Sequence, residues 1–136
     1  PEAELDGVRA RLAADDNGMI PCTISHTMYK FEALLTDRDR YAPRVFELIA
    51  RDWGFMLQNG ATTFWETIDG ASAFGDAGSL CHGWSGVPAW FYGAYILGVK
   101  PTAPGFAKYE ARPVRDIFTN VKGVVPTPGK PIPVSW

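Results

Sequence analysis

Beyond Pro101 this chain loses the ability to form helix, and that change constrains it more than any other feature. Pro101, Pro104, Gly105, Pro113, Pro126, Pro128, Pro131 and Pro133 crowd the stretch to the C-terminus. Proline has no backbone N–H to donate and its ring collides with the preceding turn, so this density rules out a helix of any length. The runs between the prolines alternate instead. Tyr109 to Arg112, Ile117 to Val125 and Ile132 to Trp136 read as strands. In the last of these, Ile132, Val134 and Trp136 share one face, and Pro131, Pro133 and Ser135 share the other. Proline in such a strand confines it to an edge. Three short strands make poor independent structure, so they call for partner strands from elsewhere.

The preceding hundred residues carry the helical period. Leu5, Val8 and Leu12 lie on one face of a helix that stops at the turn cluster Asp15-Asp16-Asn17-Gly18. Met28, Phe31 and Leu35 mark a second helix over 25–35. Asp37 to Arg40 reads as a solvated polar link. Tyr41, Val45, Leu48 and Ile49 mark a third helix over about 41–50, with Pro43 tolerated in its first turn. The segment 53–69 lacks a clean period and reads as a short helix followed by a loop, and the small, polar 70–78 as a loop. A fourth helix over 84–97 is apolar almost all round, with Ser85 as a cap, Pro88 in its first turn and Gly98 at its end. Tyr29, Trp90, Phe91 and Tyr95 fall at helical spacings and read as packing. The fold class is therefore mainly α, with a C-terminal β segment.

The bulk chemistry excludes several partners. Net charge is −2 with both signs interspersed, so no basic face offers itself to nucleic acid. The longest apolar run, around Val87 to Val99, is broken by Gly93 and Gly98 and falls short of the ~20 residues that a membrane helix needs. Cys22 and Cys81 are expected to be buried free thiols. Together with His26 and His82 they match no zinc spacing, so neither a metal nor another cofactor is expected. The first residue is Pro1 rather than Met, inside a helical pattern. That suggests a piece of a longer polypeptide, and leaves open whether the compartment is the cytoplasm or beyond it.

Two runs carry the chemistry: Gly60-Ala-Thr-Thr-Phe-Trp-Glu-Thr-Ile-Asp69, and Ser79-Leu-Cys-His-Gly-Trp-Ser85. They bring one carboxylate, Glu66, next to Trp65, with His82 and Trp84 a short way along the chain. A carboxylate can activate water, aromatic faces pack on the apolar face of a pyranose, and an imidazole hydrogen-bonds hydroxyls. Taken singly, each residue has a plainer reading: Glu66 as a helix-terminal cap, His82 as a structural histidine, the tryptophans as core. Asp69 and Asp76 read as turn residues, and His26 carries no assigned role.

These runs, followed by Leu97-Gly-Val-Lys-Pro101, Pro104-Gly-Phe106 and Gly123-Val-Val-Pro-Thr-Pro-Gly129 leading into Ile132 to Trp136, resemble the C-terminal part of the bacterial α-L-rhamnosidases. Those are inverting glycoside hydrolases with an (α/α)6 barrel followed by a β-sandwich. The resemblance implies that residues 1–100 are the C-terminal portion of such a barrel, about four helices, and that 101–136 begin the sandwich. It implies that Glu66 is the general base, that His82 lines the sugar pocket, and that Trp65, Trp84 and Trp53 lie at the barrel mouth. The implied partners are rhamnose-containing glycosides and the remainder of the parent polypeptide, or a second copy covering the exposed helix faces. The family's general acid sits in an acidic motif that nothing here matches; Asp37-Arg-Asp-Arg40 is alike only on the surface. Inversion needs two carboxyl groups roughly 6.5–9.5 Å apart, and this chain supplies one. Two further readings stay open: a catalytically silent sugar-binding or interaction module, and an (α/α)6 glycosidase for another sugar.

Overall fold

The computed structural model describes residues 2–16 and 18–136. Asn17, in the expected turn cluster, lies outside the described residues. The chain forms two compact units, Pro1–Val87 and Pro88–Trp136, and it is mainly helical with short antiparallel strands toward the C-terminus.

The first unit holds α1 (Glu2–Ala13), α2 (Thr27–Leu34) and α3 (Arg38–Gln58). Its core is the stripe Tyr41, Ala42, Val45, Phe46, Leu48, Ile49, Trp53 and Met56 along α3, together with Phe31 and Leu34 of α2. Burying a Phe or Leu side chain stabilises by about 1.5–3 kcal/mol, so this stripe is what holds the unit together. By contrast, α1 has no buried residue, and Leu5 and Val8 are about half exposed. Arginines hold it in place instead. Arg9 Nε donates to Thr36 Oγ1 at 2.9 Å, and Arg44 Nε donates to the Ala13 carbonyl at 2.9 Å. The second contact places a cation on the last carbonyls of α1, where the helix dipole favours it.

At both ends α3 outruns its sequence reading. It begins at Arg38, so Pro43 lies inside the helix and has no N–H to give the Asp39 carbonyl one turn back. The expected solvated link at Asp37 to Arg40 is thus largely helix, and the Arg38 side chain is mostly shielded from solvent. At the far end, Gly60 (φ +78°) donates to the Leu57 carbonyl at 3.1 Å and Ala61 to the Met56 carbonyl at 3.0 Å. That pair of bonds is a Schellman stop, which requires a left-handed residue at position 60. Replacing Gly60 with Ala should therefore cost about 1–2 kcal/mol, read as a lower melting temperature.

The continuous helix expected over 84–97 is broken up, and its first residues, through Val87, belong to the first unit. A 3-10 turn at Gly83–Ser85 comes first, then α4 (Val87–Phe91), then a π-helical turn over Tyr92–Ile96. The Leu97 N–H reaches back to the Tyr92 carbonyl at 2.8 Å, the wider bond of a π turn. Phe91 and Tyr95 are buried and stacked 5.8 Å apart, whereas Trp90 and, in the first unit, Tyr29 are exposed. β1 (Val99–Pro101) pairs antiparallel with β2 (Tyr109–Ala111), Val99 opposite Ala111. β3 (Lys122–Val125) pairs antiparallel with β4 (Ile132–Ser135), Gly123 opposite Val134. The strand expected over 117–125 thus keeps only its last four residues, and β1 had no periodic signal. On β4, Ile132 and Val134 are half-buried while Pro133 and Ser135 are exposed, as the alternation required. Trp136 extends this pair through mutual main-chain bonds with Val121 at 2.8 and 3.0 Å, and its indole donates to the Ile96 carbonyl at 3.1 Å.

Candidate functional site

The two motif runs lie side by side within the first unit. The Schellman stop aims the chain out of α3, and residues 63–66 then run antiparallel to 79–82. The His82 N–H donates to the Phe64 carbonyl at 2.7 Å, and the Glu66 N–H to the Ser79 carbonyl at 2.9 Å. The Thr63 hydroxyl adds a bond to the Leu80 carbonyl. The carboxylate at 66 and the imidazole at 82 therefore sit on neighbouring, bonded stretches of backbone, although fifteen other residues separate them in sequence.

The Glu66 side chain is half-buried. Its Oε2 accepts a long bond from the Ser79 N–H at 3.4 Å, and among the described residues it enters no ion pair. A carboxylate so lightly engaged keeps lone pairs for a water molecule, which a base requires. His82 is half-buried, with its ring edge-on to Trp84 at 6.0 Å and 89°. Trp84 is 73% exposed, so its face is open to a ligand. Trp65 is half-buried, and Gly70 lies against its ring.

Trp53 stands apart from the other three. It is 7% exposed, and its indole N–H donates to the Ser85 carbonyl at 2.8 Å. The bond ties the second run to the middle of α3. Ser85 is fully buried, and its N–H donates in turn to the His82 carbonyl at 3.0 Å. Trp53 thus supports the backbone that carries His82.

The turn Ile24–His26 packs against the turn Gly83–Ser85, a neighbour that no spacing in the sequence announced. His26 Nδ1 lies 3.0 Å from Thr23 Oγ1 and 3.1 Å from Ser25 Oγ, which makes it a local turn residue. Contrary to the sequence expectation, Cys22 and Cys81 are both exposed. Each sits in irregular chain with no helix or sheet face to turn it inward. Among the described residues, no group of three or more His, Cys, Asp or Glu is placed to hold a metal ion, and no helix is long and apolar enough to cross a membrane.

Residues 45–96 match the bacterial alpha-L-rhamnosidase 6 hairpin glycosidase domain. The chain is also 38% identical over 103 residues to an alpha-L-rhamnosidase of Alteromonas sp. (strain LOR), a match covering 68% of this chain and 11% of that protein. The chain is a segment of the bacterial α-L-rhamnosidase family, hence of a family of glycoside hydrolases, and it spans about a tenth of the length of the relative it matches.

Proposed function

We propose that this segment supplies the general-base half of an inverting α-L-rhamnosidase site. The observation that carries the reading is the bonded pair of runs, which puts a lightly engaged carboxylate on one stretch of backbone and a histidine with an exposed tryptophan on the adjoining one. In this reading the Glu66 carboxylate takes a proton from water as that water attacks the anomeric carbon, with inversion. His82 hydrogen-bonds the sugar, and Trp84 and Trp65 flank its apolar face. Trp53 acts from beneath, through the Ser85 carbonyl. A carboxylic acid outside these residues protonates the leaving oxygen. Residues 1–100 then belong to the barrel and 101–136 to the start of the sandwich, and the substrates are rhamnose-containing glycosides.

The test is the stereochemistry of the first product. Proton NMR during hydrolysis of an aryl α-L-rhamnoside by the full-length enzyme should show β-L-rhamnose first, with the α anomer growing in by mutarotation. If the α anomer appears first, Glu66 is not activating water for direct displacement. Because this reading assigns the general acid to a carboxyl group outside these residues, the 136-residue chain alone is expected to show no turnover on the same substrate.

A further inference from the structure

Residues 67–78 leave and re-enter the site at a single stem, the pairing of Glu66 with Ser79. The base of this excursion is closed tightly. Gly70 donates to the Thr67 carbonyl at 3.2 Å, Gly78 to the Ala71 carbonyl at 3.3 Å, and the Ser72 hydroxyl to the Asp69 carbonyl at 2.8 Å. Position 78 must be glycine, since a Cβ there would come within 1.9 Å of the Gly70 carbonyl oxygen. Across the tip, Ala77 donates to the Ala73 carbonyl at 2.9 Å.

That tip holds three consecutive left-handed residues: Phe74 (φ 55°, ψ 33°), Gly75 (φ 71°, ψ 51°) and Asp76 (φ 65°). Glycine accepts this conformation readily, and aspartate is among the residues that visit it, but a phenylalanine does so only at a cost. Burial does not repay that cost, because Phe74 is 65% exposed. The chain therefore holds a large aromatic ring in solvent, in a strained backbone, on a loop rooted at the carboxylate. Strain of this kind gathers where a ligand is gripped.

We propose that Phe74 is a specificity-determining residue that stacks on a planar aromatic leaving group of the glycoside. This rests on the functional reading above. The ring would add affinity for the leaving group without touching the bond that breaks, so its removal should act on KM more than on kcat. An offset or edge-on aromatic pair corresponds to roughly a three- to tenfold effect on binding.

The test uses the full-length enzyme with two substrates, 4-methylumbelliferyl α-L-rhamnoside and methyl α-L-rhamnoside. Phe74→Ala should raise KM for the first by that factor, keep kcat within twofold, and leave both constants for the methyl glycoside unchanged. Phe74→Trp should restore the aryl KM. Phe74→Asn, which suits a left-handed backbone, should lose the aryl preference without lowering the melting temperature. An unchanged aryl KM in Phe74→Ala, or an equal loss on both substrates, overturns the role of Phe74 while the rhamnosidase reading stands. A wild-type enzyme that cleaves neither substrate overturns that reading, and the role of Phe74 with it.

Discussion

Changing Glu66 to Gln in the full-length enzyme is expected to lower kcat for an aryl α-L-rhamnoside by about 10²–10⁴-fold, the usual contribution of a positioned general base. The fold should be unaffected, because the side chain has little structural work to lose. Its one contact with a described residue is the 3.4 Å bond accepted from the Ser79 N–H, and an amide oxygen can accept that bond as well. The Glu66 main-chain bond to Ser79, which holds the two runs together, does not involve the side chain. Rate and melting temperature should be measured on the same preparation. A rate loss below tenfold would move the base elsewhere, and a large drop in melting temperature would make Glu66 a structural residue.

Trp53 should behave in the opposite way. Trp53→Ala is expected to destabilise the protein by about 3–5 kcal/mol, the range for removing a large buried aromatic. That is a large share of the roughly 5–15 kcal/mol that holds a typical domain together. Trp53→Phe keeps most of the packing and loses the indole bond to the Ser85 carbonyl, a net cost of about 0.5–1.5 kcal/mol. Chemical denaturation measures both. If Trp53 acts only beneath the site, the Phe variant should retain nearly all rhamnosidase activity at a temperature where it is folded. A rise in KM of tenfold or more in that variant would instead place the indole against sugar.

Two helices of the first unit, α2 and α3, were legible because their buried residues recur at helical spacing. Phe31 and Leu35 pointed to α2, and Tyr41, Val45, Leu48 and Ile49 pointed to α3. The ends of α3 were not, since Arg38 to Arg40 carry only charged side chains, and Gly54 and Gly60 interrupt the run that holds the buried Trp53 and Met56. β1 was missed because three residues are too few to show alternation, and it exists only through its pairing with β2. The candidate site was proposed from the residue types of two runs. Their antiparallel contact was not legible, because it rests on main-chain bonds that any side chains at 64, 66, 79 and 82 would permit. Phe74 gave no warning either. Left-handed backbone is announced by glycine or asparagine, and phenylalanine is neither.

The way α3 stops has a use for engineering. Gly60 and Ala61 bond the Leu57 and Met56 carbonyls through main-chain N–H groups, so the direction in which the chain leaves α3 toward Glu66 does not depend on the side chains at 62 and 64. Thr62 and Phe64, both exposed, are then positions where chemistry can be exchanged while the Glu66 backbone stays on its bearing. A library built at those two sites, with position 60 kept as glycine, would vary the surface around Glu66 while leaving its approach from the helix unmoved.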